Sequence, residues 1–99
     1  MITCDIGDPV RLRTVATNRE TGKPLNPAKI VCTVESPDGT LLTPTVEAVE
    51  GTEDTYDAFV TPVEAEKWEY AFDFYDAKGE PIGSKEGAFR VRERKVPRD

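Results

Sequence analysis

WEYAFDFY, residues 68 to 75, is the stretch whose reading decides the fold. Trp68, Tyr70, Phe72 and Phe74 alternate there with Glu69, Ala71, Asp73 and Tyr75. Successive side chains of a strand project to opposite faces, so a period of two predicts one aromatic face on a core and one polar or small face toward solvent. The segment reads as a half-buried antiparallel strand. Four of the eight aromatic residues of the chain lie on that face, which makes it the surface against which the other strands pack.

Working outward, Ala88, Phe89, Arg90, Val91 and Arg92 form a last strand with Phe89 and Val91 inward. The loop before it, residues 76 to 81, has the glycine and proline of a hairpin connection. Upstream, residues 63 to 67 (VEAEK) contain good helix formers and predict a single helical turn, too short to be more. Residues 55 to 61 form a strand with Tyr56, Ala58 and Val60 on one face, and Phe59 leaves open which face is inward. Residues 40 to 49 read as a strand interrupted by Pro44, hence an edge or a bulge. Ser36, Pro37, Asp38 and Gly39 form a turn after the β-branched run that begins at Ile30. Residues 18 to 27 have the composition of a loop, and Val10, Leu12, Thr14 and Ala16 alternate with outward Arg11 and Arg13 in a strand opened by Pro9. Ile2, Cys4 and Ile6 alternate as a short first strand or as an arm laid on a neighbour, with a frayed terminus the alternative.

Six or seven short strands, with turn signals between them and no long helical period, predict an all-β chain, an immunoglobulin-like antiparallel β-sandwich of about seven short strands. Its core comprises the aromatic row with Leu12, Ile30 or Val31, Cys32, Val34, Phe89 and Val91. Residues 1–93 form the sandwich domain and residues 94–99 a basic C-terminal tail. At 99 residues the chain holds one modest core without needing metals or disulfides. Two cysteines are too few for a disulfide framework, so Cys4 and Cys32 are expected as free thiols, with Cys32 a small buried hydrophobe.

Composition narrows the chemistry. The absence of histidine removes the usual general base and the commonest metal ligand, so enzyme readings fall sharply and no catalytic residue is assigned. The acidic stretch with Glu47, Glu50, Glu53, Asp54 and Asp57 lacks the alternation and closing glutamate of a calcium loop, and reads as a solvated loop. Carboxylate pairs are a chance outcome among 19 acids, single glycines at turns make no phosphate-binding loop, and no metal or cofactor site is expected. No apolar run is long enough to span a membrane, and the first thirty residues lack an export signal pattern.

Charge is split. Residues 1 to 89 carry 8 basic and 17 acidic groups, and residues 90 to 99 carry 5 and 2, giving −9 against +3. The acidic body and the lack of interleaved aromatics argue against nucleic acid. Arg92, Arg94, Lys95 and Arg98 are therefore the candidate partner-binding residues, aimed at an acidic patch on a neighbouring protein.

"GD-VRL" from Gly7, "V-SPDGT" from Val34, "TYDAFVTP" from Thr55 and "WEYAFDF" from Trp68, with Tyr56, Phe59, Pro62 and Tyr70 among their residues, resemble the small immunoglobulin-like virion proteins of tailed bacteriophages and prophages, especially those of actinobacteria. The resemblance runs from Gly7 to Val91 and rests on core and turn residues. It departs at Glu66, where a glycine commonly stands two before the tryptophan. It implies a non-enzymatic virion component, a capsid decoration or minor head protein. The alternatives are a head-to-tail connector or baseplate-associated protein, or an adhesive module of a bacterial surface protein. The implied partners are other virion structural proteins such as the major capsid protein, with multiple copies on a symmetric assembly and neither nucleic acid nor membrane. The implied location is the virion, assembled in the reducing cytoplasm of a bacterial host, in keeping with free thiols.

Overall fold

The computed structural model describes residues 2–18 and 20–93. Eight strands follow one another: β1 Ile2–Asp5, β2 Val10–Val15, β3 Lys29–Glu35, β4 Leu41–Leu42, β5 Val46–Ala48, β6 Thr55–Val60, β7 Glu66–Tyr75 and β8 Pro81–Arg92. They form two sheets, one in the order β1-β8-β7-β3-β4 and the other β2-β6-β5. This is an all-β sandwich with immunoglobulin-like strand order, in which the second, fifth and sixth strands oppose the rest. Every pairing is antiparallel except β1 with β8, which is parallel, with Ile2 opposite Phe89 and Asp5 opposite Arg92. The N-terminal segment is thus a strand of the sandwich.

The aromatic strand sits between β3 and β8, so its inward row is enclosed from both sides. Trp68, Phe72, Phe74 and Phe89 are fully buried with Leu12, Cys32, Val34 and Val91, and Val10, Ala16, Ala58 and Val60 complete the core from the other sheet. Trp68 stacks on Phe89 with ring centroids 5.8 Å apart, and Tyr70 meets Phe72 edge-on at 6.0 Å. Tyr70 stands opposite Gly87, and a Cβ on that glycine would lie 2.4 Å from the tyrosine ring, so the ring lies where a side chain of β8 would otherwise be. Register also settles the inward choice on β3: Ile30 packs on the core, and Val31 takes the outer face. Likewise Ala58 and Val60 face in, leaving Phe59 56% exposed opposite Arg11.

Two expectations fail here. Residues 63 to 67 form no helical turn. Glu66 and Lys67 already belong to β7, paired with Val91 and Arg90, and the Glu64 carbonyl accepts the Trp68 indole N–H at 3.0 Å. Burying an indole requires an acceptor for its N–H, and an extended approach to Trp68 supplies one where helix propensity alone would not. The last strand also begins at Pro81, seven residues before the predicted start, because β7 offers a partner along nearly its whole length. Around Pro44 the predicted strand divides into β4 and β5, which lie in different sheets. Proline lacks the N–H that a continuous ladder needs, and the chain crosses between sheets there.

Cys4 and Cys32 are free thiols. They lie on β1 and β3, which β8 and β7 separate, so roughly 14 Å of sheet divides them, about twice what a disulfide can bridge. Burial raises the Cys32 thiol to about 11, which keeps it protonated and inert.

Glu66 adopts φ +96°, in the region that favours glycine. Among the described residues it pairs with Arg90 alone, at 3.7 Å, and that contact is exposed and loose. Glu66→Gly should therefore stabilise the fold by about 1 kcal/mol in denaturant titration, whereas Glu66→Ala, which keeps a Cβ, should give no such gain. Equal midpoints for the two variants would remove backbone strain as the cause.

Candidate functional site

The parallel pairing of β1 with β8 brings the start of the chain beside its last strand, on one edge of the five-stranded sheet. Arg90 and Arg92 are exposed there. Of the four sequence-predicted contact residues, Arg92 is described, while Arg94, Lys95 and Arg98 lie outside the described residues. Arg92 already has a partner: its Nε donates to Asp5 Oδ1 at 2.6 Å, and this hydrogen bond raises the guanidinium further above its ordinary value. The Ile6 N–H donates to the Arg92 carbonyl at 3.2 Å, fastening the end of β8 to the chain beyond β1. Arg92 thus closes the sandwich edge, a role that its place in a basic run does not reveal.

A second feature lies on the outer face of the same sheet, which sequence reading described only as polar or small. An open groove of about 490 Å³ is lined by Thr33, Glu35, Leu41, Glu69, Ala71, Glu86 and Ala88, with Tyr70 and Gly87 beneath. The register explains its composition. Thr33, Ala71 and Glu86 form one row across β3, β7 and β8, and Glu35, Glu69 and Ala88 form the next, with Leu41 of β4 opposite Glu35. Small side chains give the floor depth, and three carboxylates with an exposed leucine stand around it.

These carboxylates are poorly compensated. Glu35 and Glu69 are directly opposite one another, a like-charge arrangement that costs about 0.2–1 kcal/mol in a sheet. Glu69 has an exposed ion pair with Lys67 at 3.6 Å, and among the described residues Glu35 and Glu86 have none. No local sequence motif announces the cluster, because its members come from three strands.

Two carboxyls outside the groove have well-defined partners. Arg13 grips Asp57 with two hydrogen bonds, Nε to Oδ1 at 2.7 Å and Nη2 to Oδ2 at 2.9 Å, and holds that carboxyl below its usual range. In the β3–β4 turn, Asp38 accepts from the Ser36 hydroxyl and from the Thr40 N–H at 2.9 Å, which lowers it to about 2. The Asp38 N–H in turn donates to Glu64 Oε1 at 3.2 Å. Among the described residues no group of three or more cysteines and carboxylates is placed to hold a metal ion. No helix among them is long and apolar enough to cross a membrane. A further groove of about 460 Å³ lies at the other end of β8, between Gly83 and Leu25, without a comparable concentration of charge.

No protein-family model matches the chain, and no curated protein matches it. Among solved structures it is similar to part of a protein from Bacteroides vulgatus ATCC 8482 provisionally named a glycoside hydrolase, with a TM-score of 0.55 and 20% identity. That match covers 95% of this chain and 17% of the other, so the chain spans about a sixth of the length of the protein it matches. At this identity the likeness is one of fold.

Two expectations follow from the electrostatics. Asp38 and Asp57 have folded-state values below their unfolded ones, so their stabilisation is complete above about pH 4 and is lost as pH falls through the folded values. Melting temperature should hold from pH 7 to 5 and drop toward pH 2, and Asp38→Asn should flatten part of the drop. Glu35→Lys should exchange the repulsion with Glu69 for attraction and stabilise by about 0.2–1 kcal/mol, read from denaturant midpoints.

Proposed function

We propose that this chain is a non-enzymatic structural component of a bacteriophage virion, a capsid decoration or minor head protein held by its basic C-terminal end. The observation that supports this reading is the charge arrangement. An acidic body ends in the basic run from Arg90, and β1 and β8 bring both ends of the described chain to one sheet edge. A single edge can then present the tail to a neighbour while the sandwich faces away. The immunoglobulin-like strand order and the sequence resemblance from Gly7 to Val91 agree with it. Arg94, Lys95 and Arg98 are the contact residues in this reading. Arg92 contributes by fixing the exit of the tail through Asp5. Exposed ion pairs supply about 0.2–1 kcal/mol each, so attachment needs several contacts and many copies.

A second reading, an immunoglobulin-like module of a larger bacterial protein, is favoured by the Bacteroides similarity, in which a sandwich of this fold occupies 17% of a longer chain. Particle composition separates the two. Mass spectrometry of purified virions should detect the chain in many copies, and its absence from particles would overturn the virion reading. Truncation after Glu93 leaves β8 intact and should lower occupancy on purified heads, and moderate salt should strip the full chain. Unchanged occupancy without a salt effect would exclude the tail as the contact.

A further inference from the structure

We infer that the acidic groove on the outer face of the five-stranded sheet receives the basic C-terminal segment of a second copy of this chain, linking copies head to tail. The inference rests on the proposal that the tail is the contact, and it names the surface the tail meets.

Charge complementarity is the first argument. The groove presents Glu35, Glu69 and Glu86, two of them without a cation among the described residues, and the chain itself contains the matching segment Arg94, Lys95, Val96, Pro97, Arg98. Spacing is the second. Glu35 and Glu86 are two strands and two residues apart, roughly 12 Å on sheet dimensions, and in an extended segment Arg94 and Arg98 stand about 13 Å apart. Val96 then falls between the two arginines, over the floor of Ala71 and Ala88, where the arginine stems can also lie. Direction is the third. β8 runs from Glu86 through Ala88 to Arg92 and leads away from the groove, so the segment enters its own groove only by reversing, whereas a neighbour's groove accepts it without reversal. Because tail and groove are different surfaces, the contact is heterologous. It builds a ring if the rotation closes and an open string if it does not.

Sedimentation of the full-length chain at low and moderate salt tests this. Wild type should self-associate at low salt, with a dissociation constant on the order of tens to hundreds of micromolar, and dissociate at moderate salt. Glu35→Lys with Glu86→Lys should weaken association roughly tenfold or more, as should Arg94→Glu with Lys95→Glu and Arg98→Glu. In an equimolar mixture of the two variants the Lys-bearing groove of one meets the Glu-bearing tail of the other, and the wild-type groove of the second meets the wild-type tail of the first, so the mixture should associate although each variant alone does not. A single chain with both sets of reversals should likewise associate again. Thermal melts of each variant exclude unfolding as the cause. A wild type that stays monomeric at all concentrations, association that survives groove reversal, or failure of the double reversal to restore it would each overturn the inference. Loss of head occupancy on tail reversal with a monomeric wild type would sink this contact alone and leave the virion proposal standing. Self-association of a chain absent from virions would support the contact while removing that proposal.

Discussion

The structure depends on how Trp68 is enclosed. Its ring stacks on Phe89 of the neighbouring strand, and its N–H is satisfied by the Glu64 carbonyl in the segment just before β7. The two contacts work together, because the apolar ring gains by burial only if the indole N–H does not go unpaired. Meeting both demands fixes the path of residues 62 to 68. Pro62 is buried and its carbonyl accepts the Gly7 N–H at 3.0 Å, Glu64 reaches the β3–β4 turn, and Glu66 takes a backbone conformation that side chains rarely adopt. Three connections at one end of the sandwich are therefore organised around a single side chain.

From that anchor the register of the large sheet follows. With Trp68 opposite Phe89, Phe72 and Phe74 stand opposite Lys85 and Gly83, and Tyr70 is accommodated because Gly87 has no Cβ. The same register governs the opposite face. Shifting β3 or β8 by one residue would exchange inward and outward side chains, so the core cannot be satisfied without also setting Glu35 beside Glu69 and Glu86 beside Ala71. The acidic groove is thus placed by the packing of the core beneath it. Glu35 and Glu86 there lack a cation among the described residues, in contrast to Asp57 and Asp38, whose partners are supplied within the domain.

The edge where β1 pairs with β8 has a comparable double role. The Asp5–Arg92 pair joins β1 to the end of β8 there and gives one cation of the basic run a partner within the domain while leaving it exposed. Composition alone does not distinguish Arg92 from the rest of the basic run, and the position of the Asp5 carboxylate is what sets it apart.

Sequence alone was enough to specify the sandwich, its central strand and most of its core. Those are readable because strand periodicity is a local property: Trp68, Phe72 and Phe74 declare an inward face by alternation, as do Leu12, Phe89 and Val91. It also predicted free thiols from the number of cysteines. Where two periodic choices were nearly equal, as for Ile30 against Val31 or Phe59 against its neighbours, only pairing with β7 or β2 resolved them. Helix propensity at residues 63 to 67 was overridden by the hydrogen-bond demand of Trp68, and the early start of β8 by the availability of β7 as a partner. Of the charged features, the basic run was legible as composition. The groove was not, because Glu35, Glu69 and Glu86 lie on three different strands, and only register brings such distant residues onto one face.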